Sequence, residues 1–280
     1  MDSVSVTKGK RGTQNFAQQK CPLRLYKMYV CVSYSHSHRP FMEGFFLKSF
    51  PFERGLSLTV EQVPQKCKSG DLFSDGWRTQ MIEKQIFINK YLNLFKDGDL
   101  ILFSDVDIKF YGKIKADLTS CLGDNDISFM KDHNSDEVGR CGGFFIVRNS
   151  KKIRALFEGV MNTLSSHDSS DDSVSFETSE QSTINSLIND RPEISCGWLP
   201  QRYYTHGLYT DGINNFSEED QSGLWWHNKS WEEKTKIFVP EDTLVHHANW
   251  CGGIENKIDL LNWVNEIMEL KDGKQEKLLF

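Results

Sequence analysis

Two acids one residue apart, Asp105 and Asp107, close the stretch Asp99-Leu100-Ile101-Leu102-Phe103-Ser104-Asp105-Val106-Asp107. In extended chain, alternate side chains point the same way, so this spacing puts both carboxylates on one side and Val106 on the other. Two hard oxygen donors converging on one point suit a divalent cation, and such a cation carries phosphate oxygens in turn. Asp-x-Asp is also a common solvated turn. The apolar run before it argues for the cation. Leu100 to Phe103 reads as a strand buried on both faces. A buried strand that ends in two acids is costly unless a cation or water meets them. In open α/β sheets the carboxyl ends of the strands are where ligands sit.

The rest of the chain must position those acids. Lys27 to Ser33 reads as a first strand, followed by the polar loop Tyr34 to His38. Phe41 to Phe50 reads as a helix with Phe41, Phe45 and Leu47 inward, and Leu56 to Val63 as a second strand. A long helix is expected from Asp75 to Phe95, with Met81, Ile82, Ile86, Ile88, Leu92 and Phe95 as its apolar face and Gly98 beyond its end. Asp126 to Met130 and Gly142 to Arg148 are further strands, and Gly142-Gly143 implies a close backbone approach. A helix from Lys151 to Leu164 leads into a Ser- and Asp-rich stretch, Ser165 to Ser179, read as a mobile acidic loop. Ser179 caps a helix running from Glu180 to Asn189. Strands at Ile194 to Leu199 and Leu244 to Trp250 and a helix from Glu255 to Leu270 complete the pattern. Strands alternating with helices predict an α/β fold, its sheet mainly parallel and flanked by helices. Residues 23–280 are read as a single domain, preceded by a mobile tail at residues 1–22.

Composition narrows the function. The chain has 280 residues, 38% hydrophobic and 26% charged, which is enough for one large α/β domain. A net charge of -6 disfavours a bulk nucleic-acid binder. No apolar run reaches the length of a membrane span, and no leader pattern opens the chain, so a cytoplasmic location is expected. The seven cysteines include no Cys-x-x-Cys and read as free thiols in a reducing compartment.

Laid out in order, several motifs resemble those of the metal-dependent nucleotide-diphospho-sugar transferases of the GT-A fold. Ser104-Asp105-Val106-Asp107 is similar to that family's Asp-x-Asp, and Cys141 to Arg148 to the glycine-rich strand that floors its sugar pocket. Glu180-Gln181 resembles the acid-Gln helix start beside the donor sugar, though the family often has Asp-Gln there. His247-Ala248-Asn249-Trp250, followed by Gly252, Gly253 and Lys257, resembles the C-terminal His-x-Asn-x-x-Gly motif and its lysine. Trp77 and Lys84 match the helix before the Asp-x-Asp strand. The resemblance implies a GT-A type fold, a UDP-sugar donor, Mn2+ or Mg2+, and an oligosaccharide or glycoprotein acceptor. It places Asp105, Asp107 and His247 on the metal, and Ser104, Asp105, Gly143, Gln181, Gly253 and Lys257 around the donor. The chain is also similar to small chlorella-virus β-xylosyltransferases of capsid glycan synthesis. That likeness implies xylose as the donor sugar, fucose as an acceptor and, for a viral protein, the host cytoplasm.

The chemistry assigns roles to these residues. A sugar nucleotide leaves as a diphosphate, whose growing charge needs a Lewis acid and a fixed cation. Asp107 would bind the metal, Asp105 the metal or the ribose, and Lys257 the β-phosphate. His246 and His247 are adjacent, and either can supply the imidazole. Arg78 and Lys84 lie on a long helix, where basic residues are ordinarily exposed. An inverting transfer needs a general base, for which Glu180 is the first choice, ahead of Asp132 and the pair Asp171 and Asp172. A retaining transfer would use Glu180-Gln181 to steady the sugar instead. Trp225, Trp226 and Trp231 could stack on acceptor sugars. Two other classes share some features. A haloacid-dehalogenase-type phosphotransferase would carry Thr or Val where Lys109 stands, and a non-catalytic sugar-binding module would not need Asp105, Asp107, His247 and Lys257 together.

Overall fold

The computed structural model describes residues 27–70, 74–132, 136–137, 139–166, 179–205, 239–249 and 251–278. The expected tail, most of the acidic loop, Asp171, Asp172, Trp225, Trp226, Trp231 and Trp250 lie outside these residues.

Nine strands are present among them: β1 Met28–Tyr34, β2 Leu56–Gln62, β3 Leu100–Ser104, β4 Ile108–Phe110, β5 Ile127–Lys131, β6 Arg140–Arg148, β7 Cys196–Trp198, β8 Tyr203–Thr205 and β9 Val245–His247. Six of them form one sheet in the order β2-β1-β3-β6-β5-β7. Five of these run in one direction, and only β6 opposes them. The mainly parallel α/β sheet expected from the sequence is what the chain forms.

Alternation along the central strands feeds two cores. Met28, Val30, Leu100, Leu102, Phe144 and Ile146 point to one face of the sheet. There they meet Phe41 and Phe46 of a helical stretch and Leu260, Leu261 and Val264 of the last helix, Ile254–Leu278. Cys31, Ile101, Phe103, Phe145 and Val147 point to the other face. That face is covered by the helices Trp77–Leu94, Lys151–Ser166 and Glu180–Asn189. Burial on both faces explains why these strands read as unbroken apolar runs.

Most expected elements form within a few residues of their sequence limits. The Phe41 to Phe50 helix begins earlier, as a 3-10 turn at His36–His38, and widens to π geometry at Met42–Phe46 before ending at Leu47–Ser49. Leu47 is 38% exposed and Phe45 only partly buried, so neither is a core residue. In the Trp77–Leu94 helix, Ile86 faces out, 47% exposed, whereas Gln85 and Asn89 are buried. Met81, Ile82, Ile88, Leu92 and Phe95 of the expected face do pack on the core, and the two amides find partners inside: Gln85 donates to Glu180, and Asn89 donates to the carbonyls of Gln85 and Phe157. Strands β4 and β8 and the Lys115–Leu122 helix have no counterpart in the sequence reading. Both strands are three residues long, too short for a period to show. No helix among the described residues is long and apolar enough to cross a membrane.

Candidate metal and donor site

Beyond β3 the chain leaves the large sheet. The pairing of β3 with β6 ends at Ser104 opposite Phe144, and the Asp105 amide donates to the Gly143 carbonyl at 2.7 Å. Val106 and Asp107 then form a bend, and β4 enters a second sheet of order β4-β9-β8. The two acids therefore bridge two sheets. Their convergence comes from this bend, not from the continued strand alternation that the sequence suggested.

The second sheet supplies the third group of the candidate metal site. Strand β4 pairs antiparallel with β9, with Ile108 opposite His247 and Lys109 opposite His246. Alternation sends the two histidines to opposite faces. His246 lies against Tyr204, ring centroids 5.4 Å apart, and burial pulls its pKa down to about 3. His247 faces the acids: its Nε2 lies 3.3 Å from Asp107 Oδ1 and 3.8 Å from Asp105 Oδ2. One atom each from Asp105, Asp107 and His247 lie within 4.8 Å of one another. Two carboxylates and an imidazole at that spacing fit a divalent cation such as Mn2+, which accepts both donor types. The register turns His247, and not His246, toward the two acids.

Two lysines sit on these acids. Lys257, in the first turns of the last helix, places Nζ 2.5 Å from Asp107 Oδ2. The turn that starts this helix uses Gly253 at φ +82°, and the Lys257 amide donates to the Gly253 carbonyl at 3.1 Å. Burial pushes the Asp107 carboxyl up, but Lys257 and His247 outweigh it and hold it well below the usual range. Burial likewise opposes the charge on Lys257, and Asp107 more than restores it.

Lys84 is the larger surprise. It belongs to the Trp77–Leu94 helix and is turned inward, 16% exposed, against the expectation of an exposed lysine. Its Nζ lies 2.7 Å from Asp105 Oδ1 and 3.2 Å from Glu180 Oε2, and donates to the Gly142 carbonyl at 3.1 Å. Burial would lower its pKa, but Asp105 and Glu180 raise it overall. The clue was the helical spacing itself: Trp77 and Met81, seven and three residues before it, lie on the same side of the helix and line the cleft with it.

Glu180 opens its helix behind the Ser179 cap, whose hydroxyl accepts from the Ser182 amide at 3.1 Å. Only 3% exposed, Glu180 lines the cleft together with Asp105. Burial, with help from Asp105 and against Lys84, pushes its pKa up to about 7. Both of its oxygens are engaged, one by Lys84 and one by Gln85.

Of the other expected site residues, Gln181 accepts from the Gly142 amide at 3.1 Å and donates to Asp132 at 3.3 Å. Asp132 is 1% exposed, and its second oxygen accepts from Asn249 at 2.9 Å. These bonds make it a brace between β5 and the segment after β9. Ser104 is not brought into the cleft: it is buried at the end of β3, and its hydroxyl donates to the Asp105 carbonyl at 2.8 Å. Gly143 is where the backbone approach is closest. A Cβ there would fall against Asp105 Oδ2 and within 2.5 Å of His247 Cε1. Gly143→Ala should therefore weaken Mn2+ binding by about 10-fold or more, corresponding to at least about 1.4 kcal/mol of misplaced ligands, while the far-ultraviolet circular dichroism stays native. Unchanged metal affinity in calorimetry would show that the two ligands can give way.

A family profile described as "Nucleotide-diphospho-sugar transferase" matches residues 54–261. No curated protein sequence matches the chain. Among solved structures, it is similar to a glycosyltransferase involved in the glycosylation of the major capsid of PBCV-1. The identity there is 12% and the TM-score 0.51, over 83% of this chain and 98% of that one. The apo form of the glycosyltransferase GlyE of Streptococcus pneumoniae TIGR4 is 13% identical with a TM-score of 0.49, over 89% of this chain and 64% of that one. This chain thus spans somewhat under two thirds of the streptococcal protein.

Proposed function

The chain belongs to the nucleotide-diphospho-sugar transferase family, and on that premise we propose that it moves a sugar from a UDP-sugar to a hydroxyl of a glycan, with inversion at the anomeric carbon. One observation supports this above all. Asp105, Asp107 and His247 converge in a cleft that Lys84, Glu180 and Lys257 also line. A phosphotransferase of the haloacid-dehalogenase type is set aside by the family match.

The residues divide the work. A divalent cation, when bound, would act as a Lewis acid on the departing diphosphate. Asp105, Asp107 and His247 would hold that cation. Lys257, already charged against Asp107, would share its charge with the β-phosphate. Gly143 leaves room for the Asp105 and His247 side chains, which a Cβ there would displace. Glu180 would take the acceptor proton as the new bond forms. The motif resemblance to chlorella-virus β-xylosyltransferases supports xylose as the donor sugar and a deoxyhexose such as fucose as the acceptor.

A second reading rests on the double engagement of Glu180 by Lys84 and Gln85. In a retaining transfer that carboxylate would only steady Lys84 and the sugar. Proton NMR of the product separates the two readings, since a β-linked product from an α-linked donor requires inversion.

Titration calorimetry with UDP tests the reaction class. Binding should need Mn2+ or Mg2+, and a 100-fold excess over Kd should stabilise the fold by about 2.7 kcal/mol. Equal UDP affinity in the presence of a chelator would overturn the proposal.

A further inference from the structure

We propose that Cys141 is a positioning residue for the metal-binding imidazole, acting as a hydrogen-bond partner that can reverse its direction when the cation binds. The inference rests on the reading of His247 as a metal ligand. It starts from the other side of that ring. While Nε2 faces Asp105 and Asp107, Nδ1 lies 3.5 Å from the Cys141 sulfur, within reach of a hydrogen bond to sulfur. Both side chains are buried, His247 at 2% exposure and Cys141 at 1%, so water does not readily replace either partner.

The proton balance of the ring explains why a thiol suits this position. Without metal, Nε2 points at two carboxylates and is best served by carrying the proton and donating to Asp107. Nδ1 then has only a lone pair and needs a donor, which S–H supplies. With a cation on Nε2 the lone pair is needed there, so the single ring proton moves to Nδ1. Nδ1 then needs an acceptor, and the sulfur, its S–H turned away, serves as one. A carboxylate or carbonyl could serve only the second state, and an amide N–H only the first. No atom is gained or lost: one proton changes ring nitrogen, and the thiol keeps its own.

The surroundings hold the sulfur in place. Asn249 Nδ2 donates to it at 3.7 Å and also to Asp132 at 2.9 Å. Cys141 is followed in β6 by Gly142 and Gly143, the residues that floor the cleft. The sulfur therefore sits where β6, β9 and the segment after β9 meet. Partners on the far nitrogen of metal-binding histidines commonly change metal affinity about 10- to 100-fold when removed.

The test uses the whole chain, 15N-labelled at histidine, with Mg2+ as a diamagnetic probe and Mn2+ for affinity. The His247 proton is expected on Nε2 without metal and on Nδ1 with Mg2+. Cys141→Ala should weaken Mn2+ binding, followed by electron paramagnetic resonance, by about 10- to 100-fold. Cys141→Ser, whose hydroxyl also donates and accepts, should stay within about threefold of the wild type. A folded Cys141→Ala protein with wild-type affinity would overturn the proposal, and so would a serine variant no better than alanine. Should the wild type bind neither cation, it is the metal reading that fails. The metal-free Nδ1 resonance then decides the Cys141 contact alone: a shift in Cys141→Ala supports it, and no shift overturns it.

Discussion

Replacing Asp107 by asparagine should abolish metal-dependent UDP binding and lower turnover by about three orders of magnitude. That is the loss expected when a Lewis acid worth roughly 4 kcal/mol in the transition state can no longer be held. Of the three groups at the candidate metal site, Asp107 is the most demanding to replace. It is buried, it faces His247 through one oxygen and Lys257 through the other, and both neighbours keep it ionised. Its pKa is depressed in the folded chain, so its contribution to stability is complete above the unfolded carboxylate value. That contribution is lost as pH falls through the folded one. At neutral pH the pair with Lys257 is intact. Removing one partner of a buried pair leaves the other charge uncompensated, at about 3 to 5 kcal/mol. A loss of activity could then reflect unfolding, and the double variant Asp107→Asn with Lys257→Met separates the two. It should regain much of the melting temperature, because no lone cation is left, yet still bind no metal in calorimetry. Recovery of Mn2+-dependent UDP binding in the double variant would show that Asp107 serves the fold alone.

Glu180→Gln is the second large effect. Loss of a general base costs about 100- to 10,000-fold in rate, and UDP affinity should persist because the phosphate contacts lie on Lys257 and the metal ligands. The pH profile carries the sign. A base works as the carboxylate, so with its pKa pushed up to about 7 the wild-type kcat/KM should rise with pH through about 7 and level off above it. The glutamine variant should lose that rising limb. The same shift acts on stability in the opposite sense. The folded chain holds this proton more tightly than the unfolded chain, so stability should decline as pH rises from about 4.3 to about 7. A β-linked product with near-normal turnover in Glu180→Gln would keep inversion and move the base elsewhere. An α-linked product would assign Glu180 and Lys84 to holding the sugar.

The features legible in the sequence are those whose physics is local. The unbroken apolar run of Leu100 to Phe103 announced a strand covered on both faces, and Ile101, Phe103, Leu100 and Leu102 do divide between two cores. Ser179 announced a helix start because its hydroxyl reaches an amide three residues on. Gly142-Gly143 announced a close approach, and the approach is between β6 and the acids that follow β3. Asp105, Asp107, Glu180 and Lys257 read as a set through their resemblance to the family's motifs, and the fold brings all four to one cleft.

Only the tertiary structure decided which groups share charge across that edge. Lys84 reads as a surface residue by its type. It faces Asp105 and Glu180 because the side of the helix that carries Trp77, Gln80 and Met81 packs along the cleft. His246 and His247 are equivalent by type, and the register of β9 on a three-residue strand separates them. Asp132 and Cys141 became a brace and an imidazole partner through contacts with residues 117 and 106 positions away, respectively. A helix cap or a strand's alternation is settled by neighbours a few residues apart and leaves a periodic trace in the sequence. A charge pair across four elements depends on how distant segments pack, and no local period records that.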